Sequence, residues 1–170
     1  MDHQRQLATS PFPGDDGAAS PLTRQWLAEA ATSSSPASYL RAVAELCGAR
    51  LLVPLVATVT RQGETVGGLR SDKEAEMAVV LLQTADGRRA LLAFTGQDSL
   101  HAWRPDSRPV PVTLDVVART TVAEGCSALL IDVAGPYPLA IEGGVLAELS
   151  AGHRLVQVAP EEFGWAVPRC

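Results

Sequence analysis

The chain has 170 residues, enough for one domain and flanking segments, with 46% hydrophobic residues and a formal net charge of −5. Lysine occurs only at Lys73 and there is no basic stripe, which argues against a nucleic-acid partner, since phosphate neutralisation supplies most of that affinity. No apolar run approaches the ~20 residues that span a bilayer, and the opening MDHQRQLATSPFPGDDG lacks the apolar core of a secretory leader, so a cytoplasmic protein without a membrane partner is expected.

Residues 1–35 are rich in Pro, Gly, Ser, Thr and Asp and read as a flexible N-terminal tail. Within them Leu22, Trp26 and Leu27 fall at helical spacing, which leaves a short docking helix open. An ordered domain is expected over 36–159, starting with Ser35 as N-cap and Pro36 at the first helical position. Tyr39, Leu40, Val43 and Cys47 form one stripe of that helix, and Gly48 is expected to end it as a left-handed cap. Arg50 to Thr60 reads as a strand, with Pro54 placing it at a sheet edge or a bulge. Residues 62–76 are polar and glycine-rich, a loop longer than usual connections.

Met77 to Gln83 is apolar almost throughout, as in a central strand covered on both faces. Asp86-Gly87 predicts a tight turn, with Arg88 to Phe94 returning antiparallel. Thr95 is expected to cap a short helix carrying Leu100 and Trp103 inward, and Val110 with Val112 to add a short edge strand. Thr113 to Glu124 is the clearest helix, with Leu114, Val117, Ala118, Thr121 and Val122 on its inner face and Gly125 closing it. Ala128 to Val133 reads as a buried strand, followed by a Gly135-Pro136 turn and a strand at Leu139 to Ile141. Gly143 to Ser150 reads as a helix, Leu155 to Val158 as a last edge strand, and 160–170 as a loose C-terminal tail. The expected fold is therefore α/β or α+β, a mixed β-sheet of five to six strands containing a hairpin, with three to four packed helices.

Three stretches resemble the SseB family, named for enhanced serine sensitivity: LLVPLVATV, DGRRALLAFTGQDSLHAW and VAEGCSALLIDVAGPYPLAIEGG. The resemblance spans roughly residues 37 to 150 and carries no catalytic signature. The chain departs from it at Leu92 and Val133, where many relatives carry proline, and at Gly96, where they carry serine or an acidic residue. What the resemblance implies is an intracellular bacterial α/β module whose serine link is a phenotype rather than a reaction.

The side chains with chemistry are scattered. There is no GxSxG elbow for a Ser-His-Asp hydrolase. His101 reads as a solvated surface residue and His153 as a partner of a helix C-terminus. Cys47, Cys126 and Cys170 are odd in number and widely spaced, neither a disulfide framework nor a zinc site. Gly67 and Gly68 lack the Gly-Lys-Ser/Thr ending of a phosphate loop, and Glu142 puts negative charge before Gly143-Gly144, so both glycine pairs read as turns. Arg88, Arg89, Arg104 and Arg108 read as solubilising charge. No catalytic, cofactor-binding or metal residue is assigned, and no cofactor is expected. A ligand or interaction surface is placed at Gly67, Gly68, Arg70, Asp132 and Gly135, because strand ends in α/β folds host ligands. Two functions fit: a non-catalytic protein-interaction or regulatory module, contacting a protein partner or a second copy through loop 62–76 and the strand near Pro54; or a sensor or weak enzyme for a small amino-acid-like molecule such as serine.

Overall fold

The structure is a computed structural model that describes residues 12–58 and 76–168. In chain order the elements are α1 (Pro21–Thr32), α2 (Pro36–Leu46), β1 (Leu51–Thr58), β2 (Glu76–Val79), β3 (Leu81–Gln83), β4 (Arg89–Ala93), α3 (Gln97–Trp103), β5 (Arg108–Val112), α4 (Leu114–Ala123), β6 (Ala128–Ile131), β7 (Leu139–Glu142), α5 (Gly143–Ser150), β8 (Arg154–Ala159) and β9 (Glu162–Ala166). The fold is α+β, as the sequence predicts. Among the described residues its strands divide among three sheets rather than one, and five helices form rather than three to four.

The expected tail over 1–35 is corrected: α1 lies inside it, with Leu27 only 1% exposed in the main core beside Ala42, Val43 and Leu46 of α2. The two apolar positions nearest the middle of α1, Trp26 and Leu27, give it a face to bury, and that burial offsets the ordering entropy which composition alone suggested would win. The Ser35 side chain caps α2 by accepting from the Ala37 N–H, as anticipated. Cys47 closes that helix in a right-handed conformation, φ −62, so the left-handed cap expected at Gly48 does not form.

Pro54 is not at an edge, because β1 is the middle strand of the order β2-β1-β5. The register explains how a central strand accepts it. Pro54 lies opposite Pro109, and Leu52 opposite Pro111. Two facing prolines have no N–H to exchange, so these are non-hydrogen-bonded pairs and Val53–Val110 bonds between them. Leu52 turns its main chain the other way, exchanging bonds of 2.7 and 2.8 Å with Phe94. Pairing with β2 begins only at Leu55, so Pro54 falls where β1 changes partner on that side.

The apolar run Met77–Gln83 is also divided. It breaks at Val80 into β2, in the first sheet, and β3, at the edge of the four-stranded sheet β3-β4-β6-β7. The strand buried on both faces is β4. Leu91 and Ala93 point into the main core, while Leu92 joins Leu52, Phe94 and Leu100 in a second cluster beneath α3. The Asp86-Gly87 turn joins β3 and β4 as expected, with Gly87 at φ 85 and Thr84 N–H bonded to Arg88 C=O at 2.9 Å.

Among the described residues the one parallel pairing is β4 with β6, whose crossover runs through α3, β5 and α4. On α4, Leu114, Val117, Ala118 and Thr121 are buried, but Val122 is 48% exposed and does not belong to the inner face. The expected C-terminal tail 160–170 is corrected as well: β9 occupies 162–166 and pairs antiparallel with β8, Leu155 opposite Trp165. Phe163 and Trp165 alternate along β9 and pack on the main core.

Candidate functional site

Of the five candidate surface residues, Gly67, Gly68 and Arg70 lie outside the described residues. Asp132 and Gly135 are brought together. Strands β4 and β6 run parallel and end side by side, so Thr95, just past β4, meets Asp132, the residue after β6. The Asp132 N–H donates to Ala93 C=O at 3.0 Å, which continues the ladder by one step. Asp132 then adopts φ 50, a left-handed conformation that Asp tolerates better than most residues because its short side chain bonds locally. The chain turns back, and Gly135 N–H closes on Asp132 C=O at 2.7 Å. A Cβ at Gly135 would stand 3.1 Å from the Asp132 Cβ and 3.2 Å from its carbonyl oxygen, tight enough to favour glycine.

The Asp132 carboxylate is 1% exposed and fully engaged. Oδ1 accepts from Thr95 N–H at 2.8 Å and from the Ser99 hydroxyl at 2.6 Å. Oδ2 accepts from the Thr95 hydroxyl at 2.5 Å, and Arg24 Nε lies 3.8 Å away. Arg24 Nε donates to Thr95 Oγ1 at 2.9 Å while its Nη2 reaches Asp98 at 2.7 Å. Thr95 was expected to cap α3, but its hydroxyl is spent on Asp132 and Gly96 takes the cap position. Every oxygen of the carboxylate has a partner inside the protein, so its chemistry here is cohesive: it ties the ends of β4 and β6 to α3 and α1.

A strap preceding α1 packs beside this node. Arg50, its side chain only 10% exposed, donates to Thr95 C=O at 3.0 Å and Ala18 C=O at 2.7 Å and pairs with Asp15 at 2.9 Å. Gln97 N–H donates to Gly17 C=O at 2.8 Å. Between strap and helix opens a cleft of about 410 Å3, lined by Asp16, Gly17, Ala19, Arg24, Gln97 and Asp98.

A second cleft, about 430 Å3, lies between α2 and β8 and is lined by Trp26, Arg41, Glu45, Cys47, Arg154 and Val156, with Gln157 further along β8. The Arg41 guanidinium sits 4.8 Å over the Trp26 ring, and its Nη1 is 3.8 Å from Glu29. Arg154 Nη2 donates to Cys47 C=O at 2.8 Å. Burial pushes the Cys47 thiol pKa up; the Leu155 backbone amide beside it and Arg154 pull the other way. Glu45 is engaged by the Thr23 hydroxyl at 3.4 Å. Among the described residues β8 pairs with β9 alone, and its residues Arg154 to Gln157 line this cleft.

The remaining candidates have local roles. His153 Nδ1 lies 2.6 Å from Glu148 Oε2, and its N–H closes the end of α5 on Glu148 C=O. His101 is exposed in the last turn of α3. Cys126 is a buried core residue whose thiol pKa is raised by desolvation. Arg88 pairs with Asp86, and Arg104 stacks on Trp103 beside Asp106. The sequence reading missed Arg24, Ser99, Arg41 and Arg154. Each acquires its partner from a distant part of the chain, and only the alternation of Phe163 and Trp165 could have revealed the hairpin that carries Arg154.

The model of one family, described as the SseB protein N-terminal domain, matches residues 24–148. Neither the curated proteins nor the solved structures gave a match. The matched span includes α1 from Arg24 onward and all of the Asp132 node, and it ends before the β8–β9 hairpin.

Proposed function

The chain belongs to the SseB family, and from that premise we propose a non-catalytic protein-interaction or regulatory module whose contact face lies between α2 and β8. One observation carries the reading: among the described residues β8 pairs with a strand on one side only, and the cleft lined by Arg154 to Gln157 combines an aromatic ring, two arginines and an exposed apolar residue. Aromatic residues and arginine are the types enriched at binding hot spots. The strand near Pro54 pairs on both sides and offers no free edge, and residues 62–75 of the expected contact loop lie outside the described residues. No helix of the described residues is long and apolar enough to cross a membrane.

Affinity capture with quantitative mass spectrometry tests the face, comparing the native chain with Val156→Asp. A specific protein partner, or a second copy of the chain, should be depleted several-fold by the variant at an unchanged melting temperature. Equal capture by both proteins sinks this placement of the contact.

A second reading rests on the cleft beside Arg24. A guanidinium flanked by the carboxylates of Asp98 and Asp16 has the charge pattern to hold a small zwitterion such as an amino acid. Serine and related metabolites at a hundredfold excess over Kd should then stabilise the fold by about 2.7 kcal/mol. A melting temperature that stays put across such a panel removes this reading.

A further inference from the structure

Beyond the contact face between α2 and β8, we propose that the strap of residues 12–20 is the releasable occupant of a site for Asp-x-Gly peptide segments, built around Arg50. The contacts of the strap define what the site reads. Arg50 Nη2 pairs with the Asp15 carboxylate at 2.9 Å and donates to Ala18 C=O at 2.7 Å. Gln97 N–H donates to Gly17 C=O at 2.8 Å, and the Asp15 carboxylate folds back to accept from Gly17 N–H at 3.0 Å. Gly17 adopts φ 78, and a Cβ there would run into the Gln97 side chain, so the position two past the acid requires glycine. The domain supplies the donors, Arg50 and the Gln97 amide, and the strap supplies the acid and the two main-chain carbonyls that meet them.

The strap is fastened in a way that lets it leave. Pro13, Gly14, Asp16, Ala18 and Ser20 are exposed, and among the described residues none of 13–20 belongs to either apolar cluster. A segment held by polar contacts, with little buried apolar surface, opens at a free energy well below that of the whole domain. Its departure spares the Asp132 node, whose hydrogen bonds run to Thr95 and Ser99. It strips Arg50, whose side chain is 10% exposed, of Asp15 and Ala18 and leaves it only Thr95 C=O at 3.0 Å. A guanidinium uncovered in this way, with the Gln97 amide beside it, favours a new carboxylate followed by main-chain carbonyls. The family match begins at Arg24, so Arg50 and Gln97 belong to the family domain and their present occupant to the segment before it.

Amide exchange of the full chain, followed by NMR, tests the release. The Gly17 and Gln97 amides should exchange about tenfold or more faster than Ala118 in the core of α4, and faster still as salt screens the Arg50–Asp15 pair. Exchange of all three at one rate means that the strap opens only with the whole domain, and overturns the proposal. The site itself is tested with the peptide Pro-Gly-Asp-Asp-Gly-Ala-Ala-Ser, the strap's own sequence, added to millimolar concentration while the Gln97 amide signal is followed. Tethering gives the strap an effective concentration on the order of millimolar, so Gly17→Val, which ejects it, should bind the free peptide about tenfold or more tightly than the native chain does. Peptides with asparagine for the first aspartate, or valine for the second glycine, should lose that binding. If Gly17→Val does not fold, Asp15→Asn, which loosens the strap without straining its backbone, takes its place. Equal binding of the aspartate and asparagine peptides, or a Gln97 signal that none of them moves in the opened variant, overturns the assignment of the site.

Discussion

Asp132→Ala is expected to destabilise the fold by about 3 kcal/mol, lowering the melting temperature by roughly 6–12 °C for a domain of this size. The substitution leaves a buried Thr95 N–H and the buried Thr95 hydroxyl without an acceptor, while the Ser99 hydroxyl keeps only Gly96 C=O at 3.1 Å. It also sets a residue with no polar side chain at φ 50, where the Asp carboxylate no longer compensates. Arg24 moderates the loss, since its side chain is 23% exposed and keeps Asp98 as a partner. Asp132→Asn should lose less, because its amide oxygen still accepts and Asn tolerates the left-handed region. Asp98→Ala, at an ion pair whose acid is 70% exposed, should cost under about 1 kcal/mol. A denaturation series in which Asp132→Ala and Asp98→Ala cost the same would show that the buried node is dispensable.

Leu27→Ala should cost about 2–5 kcal/mol, the range for emptying a fully packed leucine site. Leu27 is buried against α2, whereas Leu22, five positions earlier on the same helix, is 48% exposed. Leu22→Ala should therefore stay within about 0.5 kcal/mol of the native chain. The contrast between the two is diagnostic. A helix that merely hung from the domain would make both substitutions silent, and urea titrations giving equal midpoints for the pair would return α1 to the status of a tail.

What was legible in the sequence was local. Ser35-Pro36 and Asp86-Gly87 set their turns through their own conformational preferences, and both elements start where those residues stand. The stripe of Leu114, Val117, Ala118 and Thr121 gave α4 within a residue at each end. Illegible were the features decided by partners far along the chain. Val80 looks like its apolar neighbours, and only the competing claims of β1 and β4 for the two halves of that run divide it there. Thr95 carries the ordinary signature of a helix cap, and its diversion depends on Asp132, a partner 37 positions along the chain. Asp132 and Gly135 stand at a strand end, as the apolar run before them indicates, and their bonds there are to the protein's own groups. Arg24 gave no signal at all, because its importance lies wholly in what comes to meet it.

The facing prolines of β1 and β5 have a consequence for solubility. Pro109 and Pro111 turn their missing N–H positions outward, so the free edge of β5 offers carbonyl oxygens and no donors. A neighbouring chain seeking to continue that sheet would find half of every handshake withheld. The β8 edge uses a different cover, with Leu155 3% exposed and its amide turned to the Cys47 thiol. The β5 flank is thus guarded against runaway stacking by two residues that cannot donate.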